Sequence, residues 1–552
     1  MSSTPAAPAA TGPRSRAEAL TRRLGLEPFE LLALLVLAGT SMAILAPLLA
    51  QGRTISGADG IFPPDQLQYF AWIRDAAHNG LVGNRFDLAP GPRAFLHPGY
   101  GLSALLHAVT GLSVPVSYLL IWKPVAIAIT FVGCLLYVRR LLPAGGRRAA
   151  ALVLALFSVM PAVAVVAWTG WGGSQAKYTF NFISGEMWTG QYLWGYLLTA
   201  VAVFLMPIVL LAVESWRERG GRGTLALAAV GSLLVMWIQP WQGATLLLII
   251  AAVQAWRYRR SGERPRAALL LVFALGALPA IYYFVLSRAD PAWRLASEAN
   301  GPGAQAEWTW PWWAMVLVLL PLALPAALAY RLPARSWQEQ ALRVWPLAAL
   351  VVYLLPAGTF PYHAFQGLAL PLGILAVQGV ASVWARPRPL LVVAALLLLT
   401  VPGFAHKVEI GAVNIHNGEY PYYITADEQR GLDWLQADAR PGGVLATNYA
   451  GQLIPYRTGR EVFVGALSWS PDYNDRRTAA RHLFAGIMGP ERARAFVVST
   501  HARFLFSECR DLIDLEPRLR GLLQEVRRFG CATVYVLRER PGMTDAAGRP
   551  DA

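Results

Sequence analysis

Residues 224–256 form the apolar stretch TLALAAVGSLLVMWIQPWQGATLLLIIAAVQAW, which is interrupted near its middle by Gln239-Pro240-Trp241-Gln242. A membrane-spanning helix needs about 20 apolar residues, so this stretch is too long for one span. It crosses a membrane either once with long ends or twice as two short helices. A turn around Pro240 suits the second alternative, because proline ends or kinks a helix.

Arginine clusters between the apolar runs decide between these alternatives. They are Arg22/Arg23, Arg139/Arg140/Arg147/Arg148, Arg217/Arg219/Arg222, Arg257/Arg259/Arg260/Arg264/Arg266, Arg331/Arg335/Arg343 and Arg386/Arg388. Short loops rich in Lys and Arg stay on the cytoplasmic side. All six clusters can lie there only if residues 224–256 cross twice. The sequence therefore predicts a cytoplasmic N-terminus and an outer turn around Pro240.

Other apolar runs of spanning length flank this hairpin. They are Phe29–Ala50, Pro115–Val138, Ala149–Trp168, Tyr192–Val213, Ala267–Leu286, Trp312–Tyr330, Phe365–Trp384 and Pro389–Phe404. Val344–Pro356 is shorter but is still a plausible span. The chain is 55% hydrophobic and 15% charged, whereas soluble domains carry about 25% charged residues. We predict a polytopic α-helical membrane protein of the plasma (inner) membrane with about eleven transmembrane helices. Trp308, Trp310, Trp312 and Trp313 are expected in an interfacial aromatic belt.

The composition predicts four regions. Residues 1–28 are expected to be a disordered cytoplasmic N-terminus, 29–404 the transmembrane domain with a long first outer loop at 51–114, 405–540 an extracytoplasmic domain, and 541–552 a disordered tail. The third region alternates helix-like and strand-like segments, which predicts a small α/β domain. The expected helices are Asp427–Ala437, Tyr473–Ile487 and Pro490–Ser499, and the expected strands are Gly443–Thr447, Glu461–Val464, Arg503–Ser507 and Ala532–Leu537.

The three cysteines divide between the two main domains. Cys134 lies in a predicted span and is expected to be a small core residue. Cys509 follows one predicted strand and Cys531 precedes another, so their sulfurs come close if those strands run antiparallel. An oxidising compartment would allow a disulfide, but the sequence leaves open whether they form one or stay as free thiols.

Several classes of protein find no support in the sequence. The net charge of +15 comes almost entirely from arginine, which could suggest nucleic-acid binding, but most arginines lie in short loops that set topology and meet anionic lipid. No nucleic acid is expected as a partner. The sequence has no cluster with zinc spacing, no phosphate-cradling glycine loop and no Gly-x-Ser-x-Gly motif, which disfavours nucleotide-driven pumps and soluble-type hydrolases.

The first outer loop contains two carboxylates, in the stretch Asp59-Gly-Ile-Phe-Pro-Pro-Asp65-Gln-Leu-Gln-Tyr69. Residues Gln66–His78 have the apolar spacing of an amphipathic helix at the membrane interface. Asp65 stands at its head, where it could cap the helix or act as a general base beside the bundle entrance. Both roles can hold together. Asp59 and Asp65 could also share a divalent cation.

About eleven spans, a long first outer loop, the pattern Asp-x-x-x-Tyr from Asp65 to Tyr69 and a helix with Arg74 resemble the GT-C glycosyltransferases. The stretches Ala426–Trp434, Gly443–Ala446, Ile454–Gly459 and Val462–Asp475 are similar to the soluble domain of bacterial proteins classed with that superfamily. The resemblance implies transfer of a sugar, with inversion, from a polyprenyl-phosphate-linked donor to an extracytoplasmic glycan, lipid or protein acceptor. No cofactor is implied beyond a divalent cation, which is optional.

The resemblance also implies roles for individual residues. Asp65 matches the general base, and Glu186 matches a second acidic position, although a solvated loop charge would look the same. Cations or donors must meet the charge of the phosphate leaving group, and the candidates are Lys177, Arg93, His97 and His363. His97 could equally be a turn histidine. Tyr362-His363 stands where an arginine pair is expected, so the phosphate-binding residue stays open. Asp59, Tyr69, Arg74 and Tyr362 complete the expected substrate-binding set. At the hairpin tip Trp237, Gln239, Trp241 and Gln242 could line a groove or anchor the interface.

Two other functions compete with this one. A transporter or flippase of a lipid-linked saccharide should show inverted repeats and ionisable residues near the middle of its spans. The sequence has no visible repeat, and its predicted spans are almost free of charge. A non-catalytic envelope assembly protein, whose C-terminal domain recruits partners, is the third alternative.

Overall fold

The computed structural model describes residues 25–89, 91–300, 312–355, 359–416, 421–511 and 513–539. The expected disordered N-terminus apart from residues 25–28, the expected tail, and Trp308 and Trp310 of the expected aromatic belt lie outside these ranges. The described chain is mostly helical, and a small mixed sheet lies in its C-terminal part. The expected combination of a helical bundle with a C-terminal α/β structure is confirmed.

The helices that precede the C-terminal domain include both long and short elements. They are α1 (Pro28–Ser41), α2 (Leu45–Ala50), α3 (Pro63–Asn79), α4 (Pro98–Thr110), α5 (Val114–Leu141), α6 (Gly146–Phe157), α7 (Ala162–Thr169), α8 (Gly173–Met187), α9 (Thr189–Leu193), α10 (Leu197–Arg219), α11 (Arg222–Ile238), α12 (Pro240–Ser261), α13 (Leu269–Ala289), α14 (Pro291–Ala299), α15 (Trp312–Ala329), α16 (Trp337–Leu354), a 3-10 helix (Pro361–Phe365), α17 (Ala369–Val383) and α18 (Pro389–His416).

Residues 224–256 lie in two helices, as the sequence predicts. α11 ends at Ile238 and α12 begins at Pro240, because proline lacks an amide hydrogen and is tolerated in the first turn of a helix. Among the described residues, α5, α10, α13 and α18 are long and apolar enough to cross a membrane, and α6 with α7 adds a fifth if this pair, bent by 47°, is one span. The protein is a multi-pass membrane protein, whereas the count of eleven spans stays a prediction.

Three of the arginine clusters meet at one end of the bundle. Arg140, near the end of α5, donates two hydrogen bonds of 2.8 Å to Glu214 near the end of α10. Arg217 of α10 and Arg257 of α12 both bind Glu263, in the loop after α12. The clusters therefore lie on a common side, which is what their assignment to the cytoplasm requires.

The last helix of the bundle is longer than its apolar run. The sequence predicts that this span ends at Phe404, whereas α18 continues to His416. The second half of the helix contains polar residues that are nevertheless buried, among them His406 and Lys407. The expected boundary between the two domains therefore falls inside α18. Polar residues after Phe404 predict exposure to water, whereas these polar residues are buried.

The described residues of the C-terminal domain, 421–511 and 513–539, form four helices and four strands. They are α19 (Ala426–Ala437), β1 (Val444–Ala446), α20 (Asn448–Thr458), α21 (Tyr473–Phe484), α22 (Pro490–Ser499), β2 (Phe504–Ser507), β3 (Leu523–Phe529) and β4 (Ala532–Leu537). The sheet order is β1-β2-β4-β3, with β1 parallel to β2 and the other pairs antiparallel. The expected strand Glu461–Val464 makes only one bridge, between Val462 and Val444. β3 and α20 were not predicted.

The two cysteines of this domain are joined. β2 and β4 run antiparallel, with Ser507 opposite Thr533. Two residues further along this register, Cys509 lies opposite Cys531, and the two form a disulfide. The sequence left open a disulfide or two free thiols, and the structure shows the disulfide. Cys134 is buried and free, as expected for a small core residue.

A buried carboxylate beside this disulfide makes the stability of the C-terminal domain depend on pH. Glu508 Oε1 accepts a 2.8 Å hydrogen bond from Thr447, and Oε2 has no partner among the described residues. Burial, with the charge of Asp511, raises the pKa of Glu508 to about 8. The unfolded chain releases this proton nearer pH 4.5, so the folded domain binds it more tightly and stability falls as pH rises across that window.

We expect the free energy of unfolding to fall by at least about 1 kcal/mol between these two pKa values. Glu508→Gln keeps the shape and removes the titrating group, so its stability should change less with pH. Thermal unfolding of the full-length parent and of the variant across this pH range measures both pH dependences. An equal slope in parent and variant would contradict the assignment of this dependence to Glu508.

The C-terminal domain is attached to the first outer loop by hydrogen bonds between residues far apart in sequence. Tyr456 donates to Ser56 O at 2.6 Å, and Tyr422 donates to Gly60 O at 2.6 Å. Arg74 of α3 donates to Tyr456 O at 3.3 Å. α3 is the amphipathic helix that the sequence predicts. It therefore lies between the bundle and the C-terminal domain, and Arg74 contacts that domain.

Candidate active site

Asp65 lies at the start of α3, and its carboxylate points toward the bundle. The helix begins with Pro63, and its N-cap is Phe62, so Asp65 is the third helical residue and the capping role considered from the sequence is wrong. Its Oδ2 instead accepts a 2.7 Å hydrogen bond from the hydroxyl of Tyr196. The two prolines occupy the first turn, where no amide hydrogen is required.

The surroundings of Asp65 are those of a carboxylate on the wall of a cleft. The side chain of Asp65 is accessible to solvent. Burial by the surrounding protein nevertheless raises its pKa, and the charge of Glu186 adds to that rise. The hydrogen bond from Tyr196 and the charge of His363 lower the pKa in part. Both observations fit a deep cleft that solvent enters. The ring of Phe62, three residues before Asp65, lies 6.5 Å from that of Phe182 on α8, and the Phe182 ring meets Tyr362, next to His363, at 4.9 Å. Asp65, Glu186 and His363 therefore lie around one site.

Glu186, in the last turn of α8, meets His363 and Gln366. Its Oε2 lies 3.0 Å from His363 Nδ1 and accepts a 2.8 Å hydrogen bond from Gln366 Nε2. Glu186 is 5% exposed, so it is not the solvated loop charge that the sequence allowed as an alternative. With Nδ1 donating to the carboxylate, the second ring nitrogen of His363 is left for a ligand.

The tip of the hairpin between α11 and α12 holds this group in place. Gln239 Nε2 donates to Gln366 Oε1 at 2.6 Å, which turns the amide nitrogen of Gln366 toward Glu186. Gln242 Nε2 donates to His363 O at 2.7 Å. The tip had been expected to line a groove or anchor the interface. Trp237 and Trp241 also donate inward, to main-chain oxygens of Leu96 and Thr359 at 3.0 and 2.6 Å.

Sequence analysis missed several residues of this cleft. Tyr192 donates to Glu186 O and accepts from Gly367 N at 2.9 Å, so it joins α8 to the segment that contains His363. Lys407 of α18 is 1% exposed and donates to both oxygens of Asn181. The chain has only three lysines. A lysine next to an apolar run was a signal that could have identified Lys407.

Asp59 has a different environment from Asp65. It is fully buried, its Oδ1 accepts a 2.8 Å hydrogen bond from Gln66 Nε2, and its Oδ2 binds Lys123 of α5. Both oxygens therefore have protein partners, and the expected divalent cation shared by Asp59 and Asp65 does not fit this arrangement. In the described part of the chain, the converging set of three potential metal ligands is Asp427 with Cys509 and Cys531, whose sulfurs are bonded to each other.

Three of the residues predicted to meet the phosphate charge, His97, Lys177 and Arg93, do not contact Asp65, Glu186 or His363 in the described part of the chain. His97 Nδ1 accepts from Gly99 N at 3.2 Å and the ring stacks on Tyr100 at 4.2 Å. Burial lowers the pKa of His97 to about 3, so it is a neutral turn histidine. Lys177 is exposed on α8, and Arg93 lies 3.6 Å from Asp75 in a second cleft.

Two predicted aromatic residues pack on other rings. Tyr69 stacks on Tyr100 at 5.4 Å, one turn after Asp65 on the same helix. Tyr362 is buried and meets Phe182 edge to face at 4.9 Å. Burial, with the nearby charge of Asp65, raises the pKa of Tyr69 well above its usual value, so its hydroxyl stays protonated.

No protein-family model matches the sequence, and no curated protein matches it in sequence. Several solved structures are similar in fold. The oligosaccharyltransferase of Archaeoglobus fulgidus in its apo form is 13% identical, with 93% of this chain and 75% of that chain covered and a TM-score of 0.51. ArnT from Cupriavidus metallidurans bound to undecaprenyl phosphate is 12% identical, with 93% and 98% covered and a TM-score of 0.49.

The arabinofuranosyltransferase AftD from Mycobacteria is 14% identical, with 93% of this chain and 42% of that chain covered and a TM-score of 0.49. At such identities a likeness concerns the fold alone. The match to the oligosaccharyltransferase extends over nearly the whole of this chain. The GT-C resemblance of the sequence is confirmed at the level of the fold.

Proposed function

We propose that this protein is a membrane glycosyltransferase that moves a hexosyl or pentosyl group from a polyprenyl-phosphate-linked donor to an extracytoplasmic acceptor. The observation that supports this function best is the convergence of Asp65, Glu186 and His363 in one solvent-entered cleft. The fold shared with an oligosaccharyltransferase agrees with it. A carboxylate that can take a proton and a histidine that can meet a phosphate are the two groups that this reaction needs.

In the proposed reaction, the acceptor hydroxyl attacks the anomeric carbon of the donor sugar and its proton passes to Asp65. The bond between that carbon and the phosphate oxygen breaks, and the lipid phosphate leaves with the bonding electrons. Attack from the opposite face inverts the anomeric configuration. The raised pKa of Asp65 suits a general base, because proton transfer is most efficient when the base has a pKa near the working pH.

His363 and Lys407 are proposed to meet the charge of the lipid phosphate. Glu186 Oε2 accepts from His363 Nδ1, and a carboxylate partner of this kind orients an imidazole. Lys407 is buried and donates to both oxygens of Asn181, on the same helix as Glu186, and is proposed as the second donor to the phosphate. These two residues replace Lys177, Arg93 and His97 as our candidates for binding the phosphate. Lys177 is exposed on α8, Arg93 lies in the second cleft, and His97 is neutral.

The proposed site lies on the extracytoplasmic side of the plasma (inner) membrane, opposite the arginine clusters. A reporter active only outside the cytoplasm should be active when fused after Leu537 and silent when fused after Arg260. The second fusion follows the two-helix hairpin, so it tests whether α11 and α12 both cross. Activity at Arg260 would contradict the double crossing and reverse the side assigned to every later loop.

The function is tested with purified full-length protein in lipid nanodiscs and an isolated polyprenyl-phosphate sugar. Release of polyprenyl phosphate that depends on an added cell-envelope acceptor would support the transferase. A flippase would instead move a fluorescent lipid-linked saccharide across proteoliposomes without release. Transport without release, or neither activity across a panel of donors, would contradict the proposal.

A further inference from the structure

A second cleft lies between the first outer loop and the C-terminal domain, separate from the cleft that contains Asp65. Its volume is about 470 Å³, which is within the range of pockets that bind small ligands. It is lined by Gly83, Asn84, Arg85, Gly91, Arg93, Gln436, Asp438, Ala439, Arg440, Pro441, Gly442, Thr458, Gly459, Arg460 and Glu461. Few of these are apolar, so a ligand must be polar.

The charges of the lining are unequal, with four arginines and two acids. Arg85 binds Asp75 and Glu461, and Arg440 binds Asp438 and Glu525. These ion pairs hold their guanidinium groups in place. Among the described residues, the other two arginines have no carboxylate that binds them alone.

Arg460 donates only to main-chain carbonyls, those of Leu435, Asp438, Arg440 and Gly442, at 2.6 to 3.0 Å. Arg93 is 45% exposed, and its one ion pair is a 3.6 Å contact with Asp75, an acid already bound by Arg85. Arg93 is exposed and only weakly paired, so its guanidinium is the one in this cleft that is available to an anionic ligand.

The position of the cleft relates it to the proposed active site. Asp75, which contacts Arg93, and Asp65 lie on the same helix, α3, ten residues apart. At 1.5 Å per residue this is about 15 Å along the helix axis. A chain-like ligand held in the second cleft can thus extend toward the base.

We propose that this cleft binds an anionic saccharide, in which carboxylate or phosphate groups on sugar rings pair with Arg93 and lie in the field of Arg460. Guanidinium groups pair with both anions through two parallel hydrogen bonds. Glycines at four places in the lining let sugar hydroxyls approach the backbone. That the bound saccharide is the acceptor rests on the proposed function, whereas the binding itself does not.

The test is equilibrium binding to full-length protein in detergent, with three probes of equal length. They are a uronic-acid tetrasaccharide, a phosphorylated tetrasaccharide, and the methyl ester of the first, which has no charge. At least one anionic probe should bind and the ester should not. Arg93→Gln should weaken binding by about tenfold, the loss expected for one charged hydrogen bond.

Arg492→Gln is the matched control, because it removes the same charge from an exposed position on α22. It should leave binding unchanged. Equal binding of acid and ester, no binding of either anionic probe, or equal losses in Arg93→Gln and Arg492→Gln would each overturn the proposal. None of these outcomes depends on turnover. A protein that binds the acid through Arg93 but transfers no sugar would keep this site and lose only the proposed function.

Discussion

Asp65→Asn should reduce turnover by roughly a hundred- to ten-thousand-fold, the usual cost of losing a positioned general base. Asparagine has nearly the same shape, and its side-chain oxygen can still accept the hydrogen bond that Tyr196 donates to Asp65. The N-cap of α3 is Phe62, not Asp65. The substitution should therefore leave folding and membrane insertion nearly intact, so the loss would be chemical.

Release of polyprenyl phosphate per inserted protein measures this effect. Asp433→Asn serves as the control, because it removes an acid whose side chain is 58% exposed in the C-terminal domain. Its turnover should match that of the parent. If Asp65→Asn kept activity near that of the parent, Asp65 would not be the base, and Glu186 would be the next carboxylate to test.

Lys123→Met should cost about 3 to 5 kcal/mol of stability, because it leaves the carboxylate of Asp59 buried and without its cation. Asp59 is fully buried and Lys123 is 5% exposed, so water cannot replace the missing partner. Asp59 also accepts from Gln66, the residue next to Asp65. The variant should thus lower the melting temperature and reduce the fraction of protein that inserts and folds.

The double variant Asp59→Asn/Lys123→Met tests whether charge is the cause. It removes both charges and keeps an oxygen that Gln66 can donate to, so much of the lost stability should return. Thermal unfolding in detergent compares the parent, the single variant and the double variant. A melting temperature for Lys123→Met equal to that of the parent would contradict the buried ion pair, and a double variant as unstable as the single one would assign the loss to packing.

Local rules account for the parts of the fold that the sequence predicts well. Pro240 between two apolar runs marks the break between α11 and α12, and three of the arginine clusters meet at one end as the positive-inside rule requires. The apolar spacing of Gln66–His78 predicts α3. These features depend on neighbouring residues, so sequence alone is sufficient for them.

The active cleft depends on contacts between residues far apart, and there prediction was partial. Sequence analysis named Asp65, Glu186 and His363 as site residues, but it did not predict that they lie together. Gln366 and Tyr192 were missed because a glutamine or tyrosine near an apolar run has no pattern that distinguishes a site from a surface, whereas the rarity of lysine in this chain was a usable signal for Lys407. Lys123, which sequence analysis did not consider, binds Asp59, which is why the expected cation shared by two carboxylates does not fit.

The attachment of α3 to the C-terminal domain has a consequence for biosynthesis. The hydrogen bond between Ser56 and Tyr456 joins residues 400 positions apart, so the loop with Asp65 leaves the ribosome long before the domain that holds it. α3 cannot make these contacts until translation is nearly finished and the C-terminal domain has folded against it. Under the proposed function, a nascent or truncated chain would thereby be kept from consuming lipid-linked sugar during its own assembly.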